Sequence, residues 1–140
     1  MCNYTNSMPE EPKFIFEYYR YPIVPVKFNS IERETPIIDA LLDSGGDFIV
    51  IPMPISAYLG LKLEKAGKVD TAGGRTSLYK SNIDMTIGKK DNTIVYNNLE
   101  IHVSGRDDIP VLLGRKPIFE DYEITFKKHK NQLILKFNSP

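Results

Sequence analysis

The sequence has little cysteine and histidine, two residue types that are common in metal sites and in covalent catalysis. It has 1 Cys and 2 His among 140 residues. Cys2 lies in a polar N-terminal stretch, and neither His102 nor His129 has a Cys, His or Glu at the spacing of a metal site. No serine has an evident histidine partner. We therefore expect no metal, no cofactor and no Cys or Ser nucleophile, and we expect surface or half-buried histidines.

The sequence also lacks an excess of one charge sign and long apolar runs. The chain has 18 Lys and Arg against 18 Asp and Glu. Its densest basic cluster is only Lys127, Lys128 and Lys130. No signal-peptide pattern is present, and no run approaches the roughly eighteen apolar residues of a membrane span. We therefore expect a cytoplasmic protein that binds neither nucleic acid nor a membrane.

The length permits one domain with a substantial core and is too short for two. Residues 1–12 are polar, contain two prolines and show no periodicity, which predicts a flexible lead-in before a domain at 13–140. The glycine pairs lack the helix and lysine of a phosphate-binding loop, so nucleotide chemistry is not expected.

Short apolar stretches between turn signals predict an all-β domain. The expected strands lie within 36–42, 48–51, 61–70, 83–87, 99–103, 109–113, 124–126 and 133–137. The aromatic stretch 14–28 contains two prolines, which predicts an edge strand or a bent one. Pro54 and Gly60 predict one or two helical turns. Residues 115–122 predict a second short helix, because Pro117 is tolerated in a first helical turn.

Two apolar runs in the stretch 40–52, ALLDSGGDFIVIP, are separated by a polar, glycine-rich break. The break places Asp43 where a buried strand ends, and glycines there let the backbone turn tightly. Burying a carboxylate in this position costs free energy unless neighbouring groups donate hydrogen bonds to it. Taken alone, the pattern is also that of an Asx-type turn in which Asp43 caps backbone N–H groups.

The segment Leu41-Leu42-Asp43-Ser44-Gly45 resembles the active-site signature of the retropepsins, the retroviral-type aspartic proteases and their cellular relatives. A second segment, 111–115 (VLLGR), is similar to the apolar-apolar-Gly-Arg segment that crosses beside the catalytic loop in that fold. The two motifs lie about seventy residues apart, which is typical of the family, and the ordered pair is more specific than either alone. The resemblance covers 21–137.

This resemblance implies an all-β, closed retropepsin-like acid-protease barrel with one main short helix near the C-terminus. It implies that Asp43, Ser44 and Gly45 form the catalytic loop, without a cofactor. The sequence has only one Asp-Ser/Thr-Gly, because Asp70-Thr71-Ala72 has alanine in the glycine position. The second carboxyl must therefore come from another copy of the chain in a homodimer. Together the two acids would activate a water molecule and hydrolyse a peptide or protein substrate.

The resemblance also implies roles for residues around this loop. Ser44 would brace the two loops of the dimer, and Leu113, Gly114 and Arg115 would support the loop from the second motif. Asp47 would lie at the substrate site and pair with Arg115; the alternative is a solvated Asp47 and an Arg115 on a helix surface.

A glycine-centred hairpin tip would be the flap over the substrate, and its residues are Ala72, Gly73 and Gly74. An ordinary solvent-exposed hairpin is the alternative for this segment. For the whole protein, the alternative is a non-catalytic dimeric module that binds peptides or serves assembly and retains the retropepsin fold.

Overall fold

The computed structural model describes residues 13–71 and 74–138, and β-strands form most of them. The expected lead-in at 1–12 lies outside the described residues. The strands are β1 (Lys13–Glu17), β2 (Ile23–Asn29), β3 (Ile38–Leu42), β4 (Val50–Pro52), β5 (Glu64–Thr71), β6 (Gly74–Lys89), β7 (Asn92–Ser104), β8 (Val111–Leu113), β9 (Tyr122–Lys127) and β10 (Gln132–Phe137). One α-helix, α1 (Met53–Leu59), follows β4.

Six of these strands form a closed barrel, which confirms the predicted fold class. Their order is β2-β3-β8-β4-β7-β6, and pairing of β2 with β6 closes the ring. β3 runs parallel to β8, and β4 runs parallel to β7, whereas the other barrel pairs are antiparallel. Closure removes the free edges that an open sheet of this size would leave.

The barrel interior is filled by alternate residues of its strands, as the period of a half-buried strand requires. Ile83, Met85 and Ile87 of β6 are buried, and so are Ile101 and Val103 of β7. The polar residues between them face outward. Both predicted strands are therefore confirmed.

The stretch 14–28 is bent, but it does not form one edge strand. β1 and β2 belong to different sheets, and β2 pairs with strands on both sides. Pro25 lies opposite Asp39 of β3, while the pairing with β6 begins only at Val26. The missing N–H of Pro25 is thus tolerated because it precedes the ladder to β6.

The predicted helix before Gly60 is α1, which ends where Gly60 takes a left-handed conformation with φ 68°. The expected helix at 115–122 is less regular. It is a short turn at Arg115–Phe119 in which Lys116 is extended, because a residue before proline disfavours the α region. The main helix of the described residues is therefore α1 rather than a segment near the C-terminus. None of the helices in 13–71 and 74–138 is long and apolar enough to cross a membrane.

The first strand and the last two strands of the described residues form a second, antiparallel sheet in the order β1-β10-β9. The predicted terminal hairpin is confirmed as β9 and β10, and β10 also pairs with β1 of the same protomer. Phe14, Leu133 and Leu135 bury the core-facing side of this sheet. The side-chain amide of Asn92 donates to the Lys13 carbonyl at 3.4 Å, which ties β1 to the turn between β6 and β7.

Candidate active site

Asp43 is the first residue after β3, and the parallel partner strand β8 determines where it lies. Leu42 is opposite Leu113, and the Asp43 N–H donates to the Leu113 carbonyl at 2.9 Å. Both leucines are buried. The two sequence motifs are therefore adjacent in space, and the Asp43 side chain is half-buried at the end of this ladder.

The loop 43–46 is a tight turn around the Asp43 carboxylate. The Gly45 N–H donates to Asp43 Oδ1 at 3.1 Å, and the Gly46 N–H donates to the Asp43 carbonyl at 3.2 Å. The Asx-type turn foreseen as an alternative is thus present, and it satisfies one carboxylate oxygen. Asp43 Oδ2 accepts no hydrogen bond from the described residues of its own protomer. One oxygen is held in place, and the other is left for a further partner.

Gly114 is required by the close approach of the second motif to this loop. A Cβ at Gly114 would overlap with the Phe48 carbonyl oxygen and lie 2.8 Å from the Gly46 carbonyl oxygen. Backbone atoms cannot move away cheaply, so only glycine fits here. A Cβ at Gly46 would lie 3.1 Å from Asp43 Oδ2, which indicates that a side chain there would crowd the carboxylate.

Asp47 and Arg115 form the expected ion pair, in which Arg115 Nη2 donates to Asp47 Oδ1. The pair is exposed, with 54% of the Arg115 side chain and 66% of the Asp47 side chain accessible to solvent. Two backbone hydrogen bonds accompany it, from the Arg115 N–H to the Gly46 carbonyl and from the Lys116 N–H to the Asp47 carbonyl, each 2.8 Å long. Since exposed ion pairs contribute little, these backbone bonds hold the two segments together.

The predicted flap residues lie at the end of a confirmed hairpin. β5 and β6 pair antiparallel, with Asp70 opposite Arg75 and Thr71 opposite Gly74. Ala72 and Gly73 are outside the described residues, whereas Gly74 is exposed and has φ 113°. Residues 64–70 are exposed along their whole length, so the hairpin extends from the barrel. Its function as a flap stays a prediction.

This arrangement of strand, loop and crossing segment can be compared with known proteins. Residues 24–116, more than half of the chain, match the sequence profile of a family described as Aspartyl protease. The chain belongs to the aspartyl protease family. A comparison with curated protein sequences gave no significant match.

Solved structures of aspartyl proteases and related domains share the fold. A retropepsin-like aspartic protease from Rickettsia conorii is 20% identical with a TM-score of 0.64, and the match covers 88% of this chain and 98% of that one. The EIAV protease complexed with the inhibitor HBY-793 is 21% identical, with a TM-score of 0.52 and coverages of 72% and 88%. The retroviral protease-like domain of Ddi1 from Leishmania major is 13% identical, with a TM-score of 0.53 and coverages of 85% and 94%.

In this member of the aspartyl protease family the Ser44 side chain is exposed, and its hydroxyl makes no hydrogen bond with residues 13–71 and 74–138 of its own protomer. A brace between the loops of two copies would use this hydroxyl. The role of Ser44 therefore stays a prediction, since one protomer does not test it.

The sequence does not predict an aromatic contact that lies beside the loop 43–46. The Phe48 ring lies over His102 with 4.4 Å between ring centroids, and Lys116 Nζ is 5.9 Å from the Phe48 centroid. Burial lowers the pKa of His102, and the positive charge of Lys80 adds to this, while Glu100 and Asp47 oppose it. The sequence placed His102 correctly in a half-buried strand. It carried no signal for the contact, because Phe48 and His102 are distant in the chain.

Proposed function

We propose that this aspartyl protease is an endopeptidase that acts as a homodimer, with one Asp43 contributed by each copy. The observation that carries the proposal is the Asp43 carboxylate itself, half-buried at the end of β3 and held through one oxygen by the Gly45 N–H at 3.1 Å. The family membership of residues 24–116 supports a protease. The presence of a single Asp-Ser/Thr-Gly in the chain supports a site shared by two copies.

The chemistry follows from placing two carboxyl groups side by side. Two like charges at short distance cannot both ionise cheaply, so the pair retains one proton over a range of pH. The ionised Asp43 takes a proton from a water molecule, which attacks the carbonyl carbon of the peptide. The protonated Asp43 of the other copy gives its proton to the carbonyl oxygen. Collapse of the tetrahedral intermediate breaks the C–N bond, and the departing nitrogen receives a proton from the pair.

The neighbouring residues would serve this reaction without entering it. Gly45 lets the peptide backbone approach the carboxylates, and Ser44 would link the loops of the two copies through its exposed hydroxyl. Leu113 and Gly114 support the loop from below. Asp47 would lie along the bound peptide, and the tip residues Ala72, Gly73 and Gly74 would close over it.

The test is Asp43→Asn in the full chain, with cleavage of an unfolded protein measured at mildly acidic pH. We expect loss of cleavage by at least a hundredfold, because the amide cannot take a proton from water, and an unchanged sedimentation coefficient. The matched control is Asp39→Asn, which removes an exposed carboxylate from the same strand and should leave cleavage unchanged. Unaltered cleavage by Asp43→Asn would reject Asp43 as the catalytic acid.

A non-catalytic peptide-binding module would give a different result. An inhibitor with a central hydroxyl mimics the tetrahedral intermediate, so an enzyme binds it more tightly than the parent peptide. Equal affinity for the two, measured by calorimetry, together with the absence of cleavage by the wild-type dimer, would favour the module.

A further inference from the structure

A groove of about 650 Å³ lies on the side of the barrel, where β2 and β5 both leave β6. The ladder of β5 with β6 ends at the pair Glu64 and Lys80, and the ladder of β2 with β6 begins at Asn29 and Asp84. Among the described residues, 81–83 of β6 therefore pair with β7 alone. We call this opening the side groove, and its lining includes Ser30, Ile31, Leu59, Leu61, Ile83 and Asp84.

The side groove has an apolar floor and an apolar rim. Leu59 and Ile83 are buried at its floor, and Leu61 is half-buried. Ile31 is fully exposed at its mouth. Covering a branched side chain of this size removes much apolar surface from water. The open stretch of β6 also offers a short strand edge to an extended peptide.

Two carboxylates line the side groove, and neither forms an ion pair within 13–71 and 74–138. Asp84 Oδ1 accepts from the N–H of Asn98 at 2.8 Å, and Oδ2 accepts no hydrogen bond from the part of the chain that the structure describes. The Glu32 carboxylate lies against Gly60, since a Cβ there would be 2.8 Å from Glu32 Oε2. Because α1 ends at Gly60, this carboxylate adds to the partial negative charge of the last helix carbonyls.

The cations around these carboxylates do not neutralise them. Lys27 pairs with Glu34, and the Arg33 guanidinium lies 5.2 Å from the centroid of the Tyr58 ring. The last turn of α1 has no basic residue. Lys62 is the one cation of the groove lining, against two carboxylates. The side groove thus combines excess negative charge with apolar surface, which is complementary to a segment that carries a basic side chain and an apolar one.

The side groove lies at the base of the β5–β6 hairpin, which is the predicted flap. The Ser81 hydroxyl donates to the Lys62 carbonyl at 2.9 Å, next to the last strand pair of the hairpin. Gly74, at the other end of the hairpin, is seven residues from Ser81, which is at most about 23 Å along a strand. About seven extended residues of another chain span this distance. A protein substrate that passes the hairpin tip can therefore reach the side groove, whereas a short peptide cannot.

We propose that the side groove binds a segment of the protein substrate outside the bond that is cleaved. This segment places a Lys or Arg side chain at Glu32 and Asp84 and an apolar side chain against Ile31 and Leu61. The proposal rests on the proposed function, and it adds a second contact with the substrate at a distance from Asp43. It predicts that unfolded proteins with basic and apolar side chains close together are preferred over short peptides.

The kinetic test compares two substrates of the full-chain dimer. One is an unfolded protein rich in Lys and Arg, and the other is a hexapeptide that contains its cleavage site. We expect the double variant Ile31→Ser, Glu32→Lys to lower kcat/KM for the protein about tenfold, because an apolar contact and a charge contact are lost. Its kcat/KM for the hexapeptide should not change, which also shows that the variant is folded and active.

The matched control is the double variant Ile37→Ser, Asp91→Lys. It removes an exposed isoleucine and reverses an exposed acid, as the test variant does, but neither residue lines the side groove. We expect it to cleave both substrates as the wild type does. An equal decrease of kcat/KM for the protein in the two double variants would overturn the proposal.

Binding is measured without cleavage in the Asp43→Asn protein. The probe is a fluorescent twelve-residue peptide in which arginine lies beside leucine, and its anisotropy gives the dissociation constant. We expect a dissociation constant at least fivefold higher after Ile31→Ser and Glu32→Lys are added. The same peptide with glutamate in place of arginine should bind more weakly, and higher salt should reduce this difference. Equal affinity of the two peptides would overturn the proposal.

The outcomes for the side groove and for catalysis are distinguishable. If the wild type cleaves the unfolded protein and the Ile31→Ser, Glu32→Lys variant cleaves it equally well, the side groove proposal is overturned and the proposed function stands. If the wild type cleaves neither substrate while the arginine peptide still binds through Ile31 and Glu32, the proposed function fails. The assignment of the groove to a substrate then falls with it.

Discussion

The N–H of Asp43 donates to the carbonyl of Leu113 at 2.9 Å, one residue beyond the point where β3 and β8 pair in parallel. This bond places the Asp-Ser-Gly loop against the Gly114 segment. The loop is therefore positioned by a parallel ladder between buried strands, and its geometry depends on the core beneath it.

Gly114→Ala should destabilise the protein by about 3 kcal/mol or more, because its Cβ would meet backbone atoms that cannot repack. Urea unfolding followed by circular dichroism measures the change. Gly45→Ala is the matched control, since its Cβ would lie 3.4 Å from Asp43 Oδ1 at ordinary contact distance. A similar loss of stability in both variants would contradict the special role of Gly114.

The ion pair between Asp47 and Arg115 should contribute less than about 1 kcal/mol to stability, because both side chains are largely exposed. A double-mutant cycle with Asp47→Ala and Arg115→Ala isolates this coupling free energy. Its value should fall further in 1 M salt, where screening is strong. A coupling of 3 kcal/mol would show instead that the pair is buried in the assembled protein.

The stability of the fold should decrease on acidification partly through His102. Burial lowers the pKa of this residue in the folded state, so the unfolded state binds more protons near the ordinary histidine pKa. The contribution of neutral His102 to the unfolding free energy is complete above the pKa of the residue in the unfolded state. It is lost as the pH falls through the pKa of the residue in the folded state. His102→Gln should therefore have a shallower loss of unfolding free energy between pH 7 and pH 5.

The control is the unfolding free energy of the wild type and of His102→Gln at pH 8. At this pH histidine is neutral in the folded and unfolded states, so the two proteins differ only in packing against Phe48. Identical slopes for the wild type and the variant below pH 7 would contradict a role for this histidine. Because the Phe48 ring covers His102 next to Asp47, the same titration tests whether the loop region senses pH.

Local patterns predicted the elements whose residues carry the signal within themselves. Ile83, Met85 and Ile87 alternate because one face of β6 is buried, and Gly60 ends α1 because it alone tolerates the left-handed turn at low cost. The sequence predicts a helix over 115–122, but the structure has an irregular turn at Arg115–Phe119, because Lys116 precedes Pro117 and is extended.

The sequence by itself determined the all-β class and the presence of a single Asp-Ser/Thr-Gly motif, at Asp43, because alternation and short motifs are local properties of the chain. Only the tertiary structure decided the parallel pairing of β3 with β8, the contact of Phe48 with His102 and the place of β10 between β1 and β9. These depend on which strands become neighbours in the closed barrel and in the second sheet, and strand neighbours are selected by packing of the whole core rather than by the residues of one strand.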